Sequence, residues 1–208
     1  LGFFGRYNNA GDYYYASVAY STDSFEVERQ AAVARSHPLI SQAAVRTKGE
    51  FDSKQLTAYL EKGYTFNLGG SVIQPYAAFQ YSKGSYDRFT ETGDGLLNLT
   101  VDFKDFTSMR GILGATWRYD ISRTFGVAVR GNWAHEFSDD VASIDASFRG
   151  ASSTYRLRGL EMGSERFNGG VDLSVRLTSK LSACLRADYT TSDGQETESA
   201  NIGFRYGW

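Results

Sequence analysis

The hydrophobic pattern along the chain has a period of two. In segment 124–137 the odd positions include Phe125, Val127, Val129, Gly131 and Trp133. The even ones include Thr124, Gly126, Ala128, Arg130, Asn132 and Glu136. Segment 165–177 repeats this, with Phe167, Val171, Leu173 and Val175 against Arg166, Asn168, Asp172 and Arg176. So do 181–189, with Leu185 and Tyr189 against Arg186 and Asp188, and 105–119, with Leu113 and Trp117 against Arg110 and Arg118. Side chains of a strand alternate between faces, so each segment predicts a strand with one apolar and one polar face. Further strands are predicted at about 50–66, 72–82 and 197–208, with a long one at about 12–30 and the tail of another at 1–7. The alternation in 12–30 slips phase near Thr22-Asp23-Ser24. That slip reads as a bulge in preference to a turn. Nine strands result, or ten with a turn there.

The predicted connections come in two lengths that alternate along the chain. Short ones are Asn8–Asp12, Asn67–Ser71, Asp120–Arg123 and Thr178–Lys180; long polar ones are about 31–49, 83–104, 138–164 and 191–196. An outer-membrane barrel has this habit, with tight periplasmic turns and longer outer loops. A soluble sandwich or lipocalin-like barrel would share the alternation but turn its apolar face inward. Three features favour lipid on the apolar side. The polar face mixes Arg with Gly, Ala and Ser, as a wet lumen would. Aromatics gather near strand ends (Tyr13, Tyr14, Tyr64, Phe66, Trp117, Tyr119, Phe125, Trp133), as interfacial girdles do. The chain also runs to an aromatic in a full strand, Trp208. The fold expected is all-β: an antiparallel transmembrane β-barrel with nine or ten strands present, as one domain over 1–208.

Composition agrees. The 22 glycines against 2 prolines, with 15% aromatics, suit strands and turns better than a helical bundle. No apolar run approaches the ~18 residues of a membrane helix. A barrel strand shows lipid only every second side chain, so the negative mean hydropathy is neutral. A net charge of −2 gives no pointer to nucleic acid. The lone Cys184 excludes an internal disulfide and a cysteine-rich metal site. It is expected to face the lumen as a small neutral filler. The opening Leu1-Gly2-Phe3-Phe4-Gly5 lacks an initiator Met and a signal peptide, and reads as cut from something longer.

The charges expected on the lumen side are Arg110, Arg118, Arg130, Arg166, Arg176, Arg186 and Arg205 against Glu61, Glu136, Asp172 and Asp188. In a dry core this set would be costly unless paired; in a hydrated lumen it is tolerated. One reading is structural, with the groups pairing across the lumen. The other is contact with a polypeptide in the pore. No catalytic or cofactor motif accompanies them. His135-Glu136 with Asp139-Asp140 has protease-like residue types, but 135 and 136 point to opposite faces of a strand. His37 and His135 are too few and too scattered for a metal site. Arg156 and Arg158, in the loop 151–164, could bind surface glycans, but a solvated loop explains them better. Asn8-Asn9 is read as part of a turn.

In segment 197–208, Ala200, Ile202, Phe204, Tyr206 and Trp208 face one way and Ser199, Asn201, Gly203, Arg205 and Gly207 the other. The strand resembles the C-terminal β-signal of outer-membrane proteins at Asn201, Gly203, Phe204, Tyr206 and Trp208. Such a strand is read by β-augmentation, main-chain bonds giving affinity and alternate side chains specificity.

With the strands placed, the whole chain resembles the translocator domain of autotransporters, the type V secretion systems. The resemblance rests on Glu61-Lys62-Gly63-Tyr64-Thr65-Phe66, Ile73-Gln74-Pro75-Tyr76, Leu113-Gly114, Trp133-Ala134-His135, Ala146-Ser147-Phe148-Arg149-Gly150, Gly169-Gly170-Val171 and the terminal strand. It implies a twelve-stranded barrel with an N-terminal linker helix in its pore. It implies an anchor that helps secrete an N-terminal passenger without ATP. The partners implied are the β-barrel assembly machinery, periplasmic chaperones, outer-membrane lipid and lipopolysaccharide. Counted back from Trp208, the chain supplies about the last nine strands, so an open, N-terminally incomplete wall is expected. A small porin or structural barrel, and less so a barrel enzyme with a site in its outer loops, are the alternatives.

Overall fold

The computed structural model describes residues 1–32, 44–93, 95, 97–138, 143–159, 163–193 and 195–207. Its strands, in chain order, begin with β1 (Gly2–Asn9), β2 (Asp12–Ala32), β3 (Ala44–Tyr64), β4 (Phe66–Leu68) and β5 (Ser71–Tyr86). There follow β6 (Phe89–Thr90), β7 (Leu99–Phe103), β8 (Phe106–Asp120), β9 (Phe125–Glu136) and β10 (Ser143–Phe148). The last are β11 (Thr154–Arg158), β12 (Glu165–Arg176), β13 (Leu181–Ser192) and β14 (Gln195–Tyr206). No helix among the described residues is long and apolar enough to cross a membrane, which leaves crossing by strands open.

The main sheet is an antiparallel meander ordered β1-β2-β3-β5-β8-β9-β12-β13-β14, curled like half a barrel. β4 prolongs the line of β3 along β5 past Thr65. The nine long strands are those the alternation predicts. Among the described residues β1 pairs only with β2 and β14 only with β13, so the wall is open. A second sheet, ordered β11-β10-β7-β6, is built from the two long connections between β5 and β8 and between β9 and β12.

Directly paired residues share a face, so the register assigns every side chain. Leu60, Phe79, Leu113, Trp117, Val129, Trp133, Phe167, Val171 and Leu185 all fall on one face and are exposed. The polar face is the crowded one: Tyr13 is 6% exposed, Gln74 8% and Ala134 2%. Side chains converge on the concave side of a curled sheet and splay on the convex side. The polar face is therefore inside and the apolar face outside, the inverse of a soluble barrel. Tyr64 to Leu56 is eight steps of about 3.3 Å. At a tilt of about 40° they make a band about 20 Å tall, near the ~25 Å expected of an outer-membrane wall.

Several expectations need correction. β2 pairs with β3 in one unbroken register from Asp12↔Tyr64 to Ala32↔Ala44, so there is neither bulge nor turn at Thr22–Ser24. The phase slip has another cause. Outside, β2 runs Tyr14, Ala16, Val18, Tyr20 and then Thr22, Ser24, Glu26, Glu28; inside, it runs Tyr13, Tyr15, Ser17 and then Phe25, Val27. The faces exchange character where the strand leaves the apolar band. β3 does the same between Leu56 and Lys54 outside, and between Ser53 and Phe51 inside. The long connections 83–104 and 138–164 are not plain loops but carry β6, β7, β10 and β11. Segment 191–196 is no long loop either, because the strands reach Ser192 and Gln195, which pair directly. Asn8 and Asn9 end β1, opposite Tyr13 and Asp12; the turn proper is Ala10-Gly11, both at positive φ (47° and 100°). Tyr13 is no girdle residue: it lies inside, over Gly63, where a Cβ would meet its ring at 2.5 Å. His37, Asp139, Asp140 and Trp208 lie outside the described residues.

Candidate functional site

The inner wall carries a connected polar array. Arg130 on β9 donates from Nε to Asp172 Oδ2 at 2.8 Å and from Nη2 to Asp188 Oδ1 at 2.9 Å. Arg186 donates from Nε to the other oxygen of Asp172 at 2.6 Å. Asp188 is two strands from Arg130, and the intervening β12 residue is Gly170. A Cβ at Gly170 would lie 2.6 Å from Asp188 Oδ1 and 2.8 Å from Arg130 Nη2, so only glycine leaves this path open.

One step along the strands, Asn168 Nδ2 donates to Asn132 Oδ1 at 2.6 Å and Thr190 Oγ1 donates to Asn168 Oδ1 at 2.8 Å. Higher still, Glu136 accepts from Ser108 Oγ at 2.5 Å, from Arg110 Nη2 at 3.2 Å and from the Met109 amide at 2.7 Å. On the β3 side the Tyr59 hydroxyl donates to Glu61. Two recesses open into this wall. One, of 240 Å³, is bordered by Tyr59, Tyr76, Arg110, Asn132 and Arg166; the other, of 310 Å³, by Arg130, Asn168, Asp188, Thr190 and Ser199.

The residues expected in the lumen thus fall on one face, but they do not form one cluster. Glu61, Arg110, Arg130, Glu136, Asp172, Arg186 and Asp188 are hydrogen-bonded within the wall. Arg118, Arg176 and Arg205 lie near the short-turn end and form no ion pair among the described residues. Arg176 and Arg205 share one row, each opposite Ser182. Cys184 also faces inward, its thiol 3.6 Å from the Gly203 carbonyl oxygen. The tyrosines and the Asn–Asn–Thr ladder were not singled out from the sequence. Their signal was parity alone: they share the phase of the charged residues.

The terminal strand is exposed along its length. Asn201, Phe204 and Tyr206 are open to solvent, and Gly203 is paired with Cys184. Its far edge carries no partner among the described residues.

Above the band, the smaller sheet is tied to β2 and β3. Arg29 grips Glu91 with two donors, at 2.9 and 2.6 Å, and the Leu99 amide adds a third at 2.9 Å. Glu91 is 4% exposed, and the Arg29 guanidinium holds its carboxyl below the ordinary value. His135 and Glu136 do face apart: His135 Nδ1 meets Glu165 at 2.7 Å on the outer face. Arg156 is held by Asp145 at 2.7 and 3.0 Å. Among the described residues no group of three or more His, Cys, Asp or Glu is placed to hold a metal ion.

A family model described as the autotransporter beta-domain matches residues 1–190. The chain belongs to the autotransporter β-domain family. The β-domain is also similar to outer membrane protein A of Rickettsia conorii (strain ATCC VR-613 / Malish 7), 26% identical over 132 residues. That stretch is 62% of this chain and only 6% of the relative. Outer membrane protein A of Rickettsia rickettsii matches equally, at 26% over 132 residues. Among solved structures, the translocator domain of autotransporter NalP from Neisseria meningitidis superposes with a TM-score of 0.70 at 12% identity. The fit covers 98% of this chain and 63% of that one. The transport unit of the autotransporter AIDA-I from Escherichia coli gives 0.50 at 12% identity, over 100% and 80%. At that identity the likeness is one of fold. The chain is thus an autotransporter β-domain with the fold of a translocator domain.

Proposed function

We propose that this β-domain anchors, and helps to carry across the outer membrane, a passenger on the N-terminal side of the same polypeptide, with no chemistry of its own. The observation that carries the proposal is the inversion of the wall: apolar outside, and inside a polar track of Arg, Asp, Asn and Tyr. A chain in transit, or a linker helix at rest, finds donors and acceptors along such a track without an apolar surface to hold it. Arg118, Arg176 and Arg205, which form no ion pair among the described residues, face the periplasmic entry. Further strands preceding Leu1 in the whole protein would close the gap between β1 and β14.

In the same reading Asn201, Gly203, Phe204, Tyr206 and Trp208 are the address read by the β-barrel assembly machinery. The open β14 edge supplies the main-chain groups and Phe204 and Tyr206 the side chains. Periplasmic chaperones bring the chain there, and lipid and lipopolysaccharide surround it afterwards.

The test is the fate of the passenger in intact cells producing the whole protein. With the β-domain complete, external protease should reach the passenger at the surface. With 197–208 deleted, the passenger should stay protected in the periplasm. A passenger that reaches the surface without the β-domain would sink the proposal. So would a β-domain that conducts ions freely and exports nothing, which is the porin alternative.

A further inference from the structure

The outer face of β3 is apolar with one interruption. Between Tyr64 and Leu56 its outward residues are Lys62, Leu60 and Ala58, and Lys62 alone of these is charged. The outward positions on either side, Tyr14 to Tyr20 on β2 and Ala77 to Tyr81 on β5, carry no charge. The lysine ion pairs among the described residues are those of Lys48 and Lys104; Lys62 forms none. Its Nζ lies instead 5.3 Å from the centroid of the Tyr14 ring, which is 6.3 Å from the ring of Tyr7. Lys62 stands two residues above Tyr64, about 5 Å at the tilt of the wall. That is the lower end of the apolar band, from which a lysine can snorkel to the interface. An ammonium facing hydrocarbon is costly, and the face of a tyrosine offsets only part of the cost. The position calls for an anion at the same level.

Beside Lys62 the outer face is hollow. The register sets Tyr7, Tyr14, Lys62 and Ala77 in one outward row and Gly5, Ala16, Leu60 and Phe79 in the next. A groove of 820 Å³ runs between the two rows, because small residues stand at Gly5, Ala16 and Ala77 among larger ones. An apolar groove that opens to lipid beside an ammonium matches a molecule with both a hydrocarbon chain and a phosphate. Free phosphate would leave the groove empty. Lipopolysaccharide carries its phosphates in the opposite leaflet, at the far end of the band. A second copy packed here would bury the ammonium against another apolar face. A zwitterionic headgroup brings its own ammonium to its phosphate, so a headgroup of net negative charge fits Lys62 better. On the orientation in the translocator reading above, the short-turn end faces the periplasm. Resting on that reading, we infer that Lys62, beside Tyr14, binds the phosphate of an anionic glycerophospholipid of the periplasmic leaflet. An acyl chain of the same lipid lies in the groove over Gly5 and Ala16.

The test uses the whole protein, purified from outer membranes and reconstituted in phosphatidylcholine vesicles. It carries one cysteine, Val18→Cys at the edge of the groove or Val129→Cys on the outer face of β9, labelled with a fluorophore. Brominated phosphatidylglycerol or brominated phosphatidylcholine is then added as quencher. At position 18, half-quenching should need about fivefold less brominated phosphatidylglycerol than brominated phosphatidylcholine. At position 129 the two amounts should be equal. Lys62→Gln should make them equal at position 18 as well, and Lys62→Arg should keep the preference. Equal amounts at position 18 in the parent, the same preference at position 129, or a preference that survives Lys62→Gln overturns the inference. A preference abolished by inorganic phosphate, but not by sodium chloride at the same ionic strength, assigns the site to free phosphate and overturns it likewise. Should Lys62→Gln fail to assemble, Ala16→Phe decides: it fills the groove without touching the charge and should weaken the preference, and an unchanged preference overturns the inference. Passenger display is scored in the cells before purification. A displayed passenger with no lipid preference brings down this inference alone; a passenger never displayed brings down both readings.

Discussion

Gly170 is where a missing side chain organises the inner wall. Without a Cβ there, Arg130 spans β12 to reach Asp188 as well as Asp172. The Asp172 side chain is 22% and the Asp188 side chain 31% exposed, so each pair is worth about 1 kcal/mol or less. A double-mutant cycle on Arg130 and Asp188 should therefore return a coupling of roughly 0.5–1 kcal/mol. Repeated in a Gly170→Val background, the coupling should fall to near zero; an unchanged value would mean that the glycine plays no part. At the short-turn end Ala10 holds φ 47°, a region costly for a residue with a Cβ. Ala10→Gly should stabilise the domain by about 0.5–1 kcal/mol, read from the denaturant midpoint. Residues such as Gly170 were hard to read from the sequence, because alternation gives a residue's face but not what reaches across it.

At the scale of elements, legibility followed the solvent. Within the band, lipid imposes one rule on every outward residue, so Phe125 to Trp133 or Phe167 to Val175 could be assigned from parity alone. Above it, water lies outside and the faces exchange roles, and the same strand then reads as out of phase at Thr22–Ser24. β6, β7, β10 and β11 span only two to six residues, too short for alternation to stand out from loop composition. One tie between this upper sheet and the wall is Arg29–Glu91, and the Lys48–Thr92 backbone pair is another. Because Glu91 titrates below its ordinary value of 4.5 in the folded chain, its contribution is complete above that value. It is lost as the pH falls through the lowered folded value. Protection of the β6 and β7 amides against hydrogen exchange, taken relative to the intrinsic rate at each pH, should thus be flat from pH 7 to about 5 and fall in stronger acid. Glu91→Gln should raise exchange at neutral pH and flatten the acid response. Glu91→Ala, which leaves Arg29 unpaired, should cost the sheet about 3 kcal/mol of local stability. A wild-type profile identical to that of Glu91→Gln would show that the ion pair does not hold the sheet.

For the molecule as a whole, the two edges matter as much as the faces. A wall whose outer β1 and β14 edges have no partner among the described residues presents main-chain donors and acceptors that lipid cannot satisfy. Its stability in a membrane depends on what pairs with those edges. On the reading proposed here, the terminal strand meets the assembly machinery first and upstream strands of the same protein afterwards. Removing Trp208, or changing Phe204 to Asp, should slow acquisition of the heat-modifiable, protease-resistant form in cells; normal assembly of both variants would contradict the β-signal assignment. The resemblance of the whole chain to translocator domains was legible from the order and spacing of short pieces. The smaller sheet was not.

The central claim is that lipid meets the apolar convex face while water fills the polar concave one. Single cysteines along 166–175 of β12, in a Cys184→Ser background and in the outer membrane of cells, test it most directly. A small water-soluble thiol reagent should label 166, 168, 172 and 174 fast and 167, 171, 173 and 175 slowly, and a lipid-soluble reagent should give the reverse. Uniform labelling, or an alternation of opposite phase, would contradict the account.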